Sequence, residues 1–404
     1  MNDLFKQAQI QSYGIEQKKI RQKKQILKSL YFKGPISNAE IAVELGLSTP
    51  KINSLLLELI VDKLIMEYGP GDSSGGRRPN IYGLVKNGFY VAGITIGVHH
   101  TVISIFNSNN DEISGPHIFP FNVQSGLSVF KSLSASLNEV VDNCGIEKSQ
   151  LITAGIEMPG LVNTMEGFNK TYFPDKYLYR ELRKNFKMPV FFENDAKVRT
   201  FAEQHFGLAK GRENVLMIHT GWGVGLGIII HSRLYSGNSG FAGEFGHLPI
   251  VDNGILCHCG KKGCLETIAS ATAIARLAKE GIMAGDSSLL KELVDKNIDK
   301  IETSTVIQAA NAGDQFSISL LSNVGYWLGK GIALLIQIFN PELIIIGGQV
   351  AEASLFIKAP IEQAIHTFSN HDISNDTEIN FSAPGSKAGT LGAAAYALEK
   401  LSNL

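Results

Sequence analysis

Cysteine is scarce in this chain, four in 404 residues, too few for the disulfide framework that staples small exported domains. Long apolar runs are missing too. No stretch approaches the ~18–20 uninterrupted apolar residues that span a bilayer. The longest candidate, residues 331–348 (GIALLIQIFNPELIIIGG), is broken by Asn340, Pro341 and Glu342 into a helix, a turn and a buried strand. The first residues, MNDLFKQAQIQSYGIEQ, have neither a basic start with an apolar core nor a small-residue cleavage site, so no secretory leader is read there. These absences point to a cytoplasmic protein with no membrane partner, in which any cluster of thiols serves a metal or a reaction. The length exceeds what one core supports and calls for two or three domains.

Net charge is also small, −1 overall, but it is unevenly spread. Residues 1–85 hold 12 Lys and Arg against 8 Asp and Glu, and the remainder 25 against 30. A basic end on an acidic body is a weak pointer to nucleic acid. The basic end has a recognisable order. Residues 18–34 set Ile20, Ile26, Leu27, Leu30 and Tyr31 inward and a run of Lys and Arg outward, as an amphipathic helix does. Ser37 with Glu40 is a capping box opening a short helix that ends at Gly46. A third helix begins near Pro50, with Ile52, Leu55, Leu56, Leu59 and Ile60 on one face. Helix, capped helix, glycine turn and helix is the helix-turn-helix order, whose last element meets the major groove by its first residues. Ser48, Thr49, Lys51 and Asn53 form the expected DNA-contacting set. The following strand, glycine-rich loop and strand read as a wing, with Arg77 and Arg78 at its tip suited to phosphates or a narrow minor groove. The competing reading is a dimerisation or protein-docking module with a solvated basic face.

From residue 88 the texture becomes α/β. Strand hairpins and helices recur in two halves, which implies two similar lobes with an inter-lobe cleft. The expected division is 1–85 for the winged helix-turn-helix, 86–200 for a first lobe completed by the closing helix 388–404, and 201–387 for a second lobe. Residues 283–302 read as a polar helical surface insertion, and Cys144 as a small buried core residue.

The other three cysteines fall within eight positions. Cys257, Cys259 and Cys264 follow His247, the last residue of GEFGH, by ten to seventeen places. Three thiolates and one imidazole suit tetrahedral Zn²⁺, and a full Cys3His set leaves no open position for water, so this zinc is expected to be structural. Polar side chains suited to hydroxyl chemistry gather nearby in sequence: Asn194 and Asp195 at a strand-to-helix corner, Glu244 and His247 around a glycine, and Glu266 just after the cysteines. Carboxylates and amides bind adjacent sugar hydroxyls in pairs. An Asn-Asp pair alone is ordinarily a helix cap.

The stretch HTGWGVGLGIII, with GNSGFAGEFGHLPIVDNGILCHCGKKGCLE after it, resembles the signature of the ROK family, which comprises bacterial repressors and sugar kinases. The resemblance extends over nearly all of residues 15–404. It implies ribonuclease-H-like, actin-type lobes; sugar contacts from Asn194, Asp195, Glu244, His247 and Glu266; and zinc held by His247, Cys257, Cys259 and Cys264. His247 would serve both through its two nitrogens. In the family's kinases the position of Asp195 is the base that takes the proton from the attacking hydroxyl. Those kinases carry Asp-x-Gly-Gly-Thr-Lys in the first hairpin, where this chain has TIGVHH: Thr95 replaces the acid, Val98 the second glycine, and His99 and His100 the Thr-Lys pair. Loss of a Mg²⁺-directing carboxylate, with a valine intruding on the phosphate path, argues against kinase activity. The expectation is therefore a non-enzymatic DNA-binding regulator, a repressor of carbohydrate-utilisation genes. It would bind an operator as a homodimer or higher oligomer and leave it when a sugar or sugar-phosphate fills the cleft. A sugar kinase, a bifunctional kinase-regulator and a repressor controlled by a protein partner are the alternatives.

Overall fold

The computed structural model describes residues 14–71, 78–174, 177–383 and 387–403, together with Leu4. Contacts divide the chain into two compact units, residues 1–198 with 386–404, and residues 199–385.

Unit 1 begins with α1 (Ile15–Lys33), β1 (Ile36–Ser37), α2 (Asn38–Leu45), α3 (Thr49–Val61) and the strands β2 (Ile65–Pro70) and β3 (Asn80–Leu84). Ser37 Oγ accepts from the Glu40 N–H, while the Glu40 carboxylate accepts from the Ser37 N–H at 2.8 Å. The Ser37 hydroxyl, which donates to that carboxylate at 2.7 Å, and the Ser37 N–H hold the Glu40 carboxyl below its usual range. Gly46 ends α2 at φ 61°, a left-handed stop that glycine adopts without strain. Ile52, Leu55, Leu56 and Leu59 of α3 are buried, as are Ile26, Leu27 and Leu30 of α1. β3 pairs antiparallel with both β1 and β2, with a bulge between Glu67 and Gly69, giving the winged arrangement. The basic face of α1 differs from expectation. Lys24 is buried, and Lys19 and Lys23 bond Glu58, Lys28 bonds Glu399, and Lys33 bonds Glu44. Helix α1 touches α2, α3, β3 and the last helix of the chain, so little of its circumference is left to solvent.

The same unit continues with β4 (Tyr90–Ile96), β5 (His100–Asn107), β6 (Glu112–Pro120), α4 (Val129–Asn143) and β7 (Leu151–Met158). A ribbon of β8 (Val162–Asn163) and β9 (Phe168–Asn169) follows, then α5 (Leu178–Asn185), β10 (Val190–Asn194) and α6 (Asp195–Phe206), whose residues from Arg199 on belong to unit 2. The sheet order is β6-β5-β4-β7-β10, the first three antiparallel and the last two parallel to β4. Cys144 is a half-buried C-cap of α4 whose thiol donates to Val141 O, not a core residue; the helix ends there and leaves one side of it to solvent.

Unit 2 holds β11 (Val215–Thr220), β12 (Val224–Ile230), β13 (Arg233–Leu234), the short α7 (Glu266–Ala269), α8 (Ala271–Ala284), α9 (Leu290–Leu293) and α10 (Thr303–Asn311). Then come α11 (Gln315–Phe339), β14 (Leu343–Gly348), α12 (Ser354–Phe368), α13 (His371–Ser374) and β15 (Glu378–Phe381). Its sheet order is β13-β12-β11-β14-β15. Numbered within each sheet, both five-stranded sheets run third, second, first, fourth, fifth, with antiparallel pairs followed by parallel ones. That shared order is the ribonuclease-H-like lobe of actin-type folds.

Two readings of unit 2 need correction. Residues 283–302 are not a helical surface insertion: past the end of α8 at Ala284 only Leu290–Leu293 is α-helical, and Leu290, Val294 and Ile301 are buried in the unit's core. Polar spacing concealed three apolar anchors. Second, one helix among the described residues, α11, is long and apolar enough to cross a membrane, because it extends back to Gln315 from the run that Asn340 interrupts. Half of its apolar window is buried in the protein. Gly325 and Gly329 admit the backbone of α12, where an added Cβ would lie 2.7 Å from Ile357 O and 2.6 Å from Ile361 O. It is the core partner of α12.

The chain closes with α14 (Lys387–Ser402), which returns to unit 1 and packs on β4 and β7. Gly93 and Gly155 make that approach feasible; a Cβ on either would stand 1.8 Å from a carbonyl oxygen of the helix, Thr390 O or Ala393 O.

Candidate regulatory and metal sites

At the head, Ser48 is extended (ψ 146°) and precedes α3, with Pro50 in the first turn. Ser48, Thr49, Lys51 and Asn53 are all exposed on the first turns of this helix, while Ile52 between them is buried. Asn53 Oδ1 accepts from Asn38 Nδ2 of α2 at 2.9 Å. The start of α3 is thus presented with a fixed side chain and free N–H groups, the end of a helix that favours phosphate. Arg78 is exposed at the base of the wing. Arg77 lies outside the described residues.

In the first lobe, β10 runs into α6 at Asn194-Asp195. Asn194 is bonded at both ends of its amide: Nδ2 donates to Gly160 O at 3.0 Å and Oδ1 accepts from Lys197 N at 3.4 Å, which leaves a second N–H and a second lone pair for a ligand. It pins the loop after β7 to the start of α6. Asp195 is half-buried, with Oδ1 accepting from the Ala196 N–H at 2.8 Å. Behind them Glu193 is buried; desolvation raises its pKa, against the attraction of Lys197 and a hydrogen bond from Tyr396 at 3.0 Å. In the first hairpin, Thr95 occupies the expected position, its carbonyl accepting from Thr101. Val98 packs against this lobe's core. Val98 is half-buried, and no carboxylate stands at position 95.

The second lobe carries the denser cluster. Glycines fold its parts together. Cβ atoms at Gly243 and Gly246 would meet Leu226 O at 2.0 Å and Val224 O at 2.3 Å, so the GEFGH segment lies directly on β12. Glu266 Oε2 accepts from the Val224 N–H at 3.1 Å, and Gly223 leaves room for that carboxylate. His247 Nε2 stands 3.9 Å from Glu244 Oε2, while its Nδ1 is 3.6 Å from Cys257 Sγ. The two nitrogens face different groups. The cysteine loop is a tight turn, with Cys257 N–H donating to Lys261 O at 2.8 Å and Gly260 at φ 87°. Sequence reading missed His258, which sits between two cysteines and whose Nδ1 is 3.2 Å from Glu266 Oε1. The signal was there, since a residue bracketed by two loop-anchored thiols has little freedom in where it is displayed.

The ligand atoms of His247, Cys257, Cys259 and Cys264 all lie within 4.8 Å of one another. Cys259 and Cys264 sulfurs are 3.5 Å apart. Sulfurs at ~2.3 Å from a tetrahedral centre stand about 3.8 Å from each other, so the donors are spaced as a single ion needs them. Burial pushes the Cys264 thiol up to about 12, with the sulfurs of Cys259 and Cys257 adding to it, and burial also raises Cys257, while the Lys261 backbone lowers Cys259. Three adjacent thiolates are untenable without a compensating cation. The set fits a thiophilic metal ion.

A winged head joined to ribonuclease-H-like lobes, one bearing a Cys/His cluster that could hold a metal ion, defines a DNA-binding regulator built on a kinase-like body. Residues 91–400 match the ROK family, and the chain belongs to it. The chain is 30% identical over 339 residues to the DNA-binding transcriptional dual regulator NagC of Escherichia coli, covering 83% of this chain and 82% of that protein. It is 28% identical to the xylose repressor of Bacillus subtilis over 95% of this chain and 96% of the relative. A glucokinase of Halalkalibacterium halodurans is 33% identical over 75% of this chain and 93% of its own. The crystal structure of a ROK family transcriptional regulator, a homologue of the E. coli MLC protein, superposes with a TM-score of 0.79 at 28% identity. That match covers 95% of this chain and 97% of the other.

Proposed function

We propose that this protein is a repressor of carbohydrate-utilisation genes that releases its operator when a sugar or sugar-phosphate binds. The observation that carries this is the exposed start of α3 in a chain that matches a named repressor over 95% of its length, head included. Ser48, Thr49, Lys51, Asn53, Arg77 and Arg78 contact double-stranded DNA, and a homodimer in the cytoplasm places two heads on consecutive half-sites. Asn194, Asp195, Glu244, His247 and Glu266 hold the sugar. His247, Cys257, Cys259 and Cys264 hold a structural Zn²⁺, which supplies charge balance for the thiolates and fixes the loop before Glu266. Sugar changes operator affinity only through its differential affinity for two states of the protein. A gel-shift titration on the gene's own upstream DNA with D-xylose, D-glucose and N-acetyl-D-glucosamine tests the effector. Release by one sugar is expected, and indifference to a wide panel would overturn the reading.

Residual kinase activity is the second reading, favoured by Asp195 and by the glucokinase relative. Thr95 opposes it, because no carboxylate stands there to direct Mg²⁺. ADP release measured with each sugar separates the two.

A further inference from the structure

His258 is a residue that the proposed sugar site does not yet use. It lies between two of the four metal-ligand candidates and is exposed, yet its ring is not idle. Nδ1 stands 3.2 Å from Glu266 Oε1, and the ring packs edge-on against His247 with centroids 5.0 Å apart. The same Nδ1 lies 3.8 Å from Cys257 Sγ, so the ring stands between the cysteine loop and the carboxylate. Glu266 has a polar neighbour at each oxygen: Oε2 accepts from the Val224 N–H of β12, and Oε1 lies against His258 Nδ1. A hydrogen bond and a close polar contact from two different elements restrict the carboxylate plane, which one bond leaves free to turn about its terminal torsion.

We propose that His258 is a positioning residue for Glu266, so that the cysteine loop which holds the metal also sets the orientation of a sugar-binding carboxylate. The inference rests on the sugar-site reading given above and deepens it. Its physical content is an order of assembly. Cys257 and Cys259, on either side of His258, fix the backbone that displays the ring, and the ring fixes the carboxylate. Outer contacts that orient a ligand-binding group commonly carry part of its affinity.

The test uses the full-length protein with D-xylose, D-glucose and N-acetyl-D-glucosamine as probes, binding followed by calorimetry and zinc by elemental analysis. His258→Ala is expected to keep one zinc per chain and weaken the bound sugar about three- to tenfold, the worth of one exposed polar contact. His258→Gln, whose amide can donate to the carboxylate, is expected to recover part of that loss. In a double-mutant cycle, His258→Ala added to Glu266→Gln should cost far less than it does alone, because the ring acts through the carboxylate. Unchanged affinity in His258→Ala, or additive losses in the cycle, overturns the proposal while leaving the sugar site standing. Two zinc ions per wild-type chain falling to one in His258→Ala would make His247, His258 and Glu266 a second metal site and also overturn it. If the wild type takes none of these sugars and none of a wide panel, the parent reading fails and this one with it.

Discussion

Gly155→Ala is the sharpest test of how unit 1 is assembled. Gly155 lies in β7, and its missing side chain lets the backbone of α14 rest on the sheet. A Cβ there would stand 1.8 Å from Ala393 O and 2.4 Å from Ala393 C. An ordinary carbon–oxygen contact is about 3.3 Å or more, so strand and helix must separate by well over 1 Å. The obstacle is main chain on both sides, and no rotamer change relieves it. Separation on that scale forfeits a quarter to a half or more of each dispersion contact in the seam. That seam includes the fully buried Ala394, Ala397, Leu398 and Leu401. Overpacking costs typically 1–3 kcal/mol and more where the backbone must move, so about 3 kcal/mol or more is expected. The assay is thermal denaturation by circular dichroism with hydrogen exchange on peptides of residues 387–403. A lowered midpoint and faster exchange in α14 are expected. Gly347→Ala is the control: its Cβ meets only Met217 Cε at 2.8 Å and Ser382 Cβ at 3.5 Å, and the methionine end can swing away. If both variants unfold alike, or Gly155→Ala matches wild type within ~0.5 kcal/mol, the close-approach argument is wrong.

Cys264→Ser should lower bound zinc from one equivalent per chain to a small fraction, reduce the melting temperature and weaken sugar binding; zinc content and calorimetry report the three. Zinc uptake should release protons, since burial raises the Cys264 and Cys257 thiols, and the affinity should fall as pH falls. Asp314, the N-cap of α11, is pulled upward by desolvation but held lower on balance by bonds from Ser317, Ser288 and Leu289. Its folded pKa is depressed, so its contribution is complete above the ordinary carboxylate range and is lost as pH falls through the depressed value. Asp314→Ala should cost about 1–2 kcal/mol near neutrality and narrow to nothing in acid, read by urea midpoints. Lys51→Ala should weaken operator binding across sequences and reduce the logarithmic salt slope by about one, checked by fluorescence anisotropy.

Local chemistry determined much of this protein in advance. The Ser37–Glu40 capping box, the stop at Gly46 and the spacing of Cys257, Cys259 and Cys264 involve partners a few residues apart, and such contacts are written in the order of the chain. The same holds for the alternation of hairpins and helices that gives the two lobes. Other features depended on partners far away in sequence. The lysines of α1 looked like a free basic face until packing buried Lys24 and Glu58, Asp62 and, 371 positions on from Lys28, Glu399 met Lys23 and Lys28. Val98 turned to a core that no local pattern names, and polar residues 283–302 hid the anchors Leu290, Val294 and Ile301. His258 acquired a role only when the loop folded its ring onto Glu266. Sequence spacing fixes which groups are neighbours along the backbone; which groups share a hydrogen bond or a buried face across the fold is decided by packing, where desolvation and close contact are settled only once the whole lobe is in place.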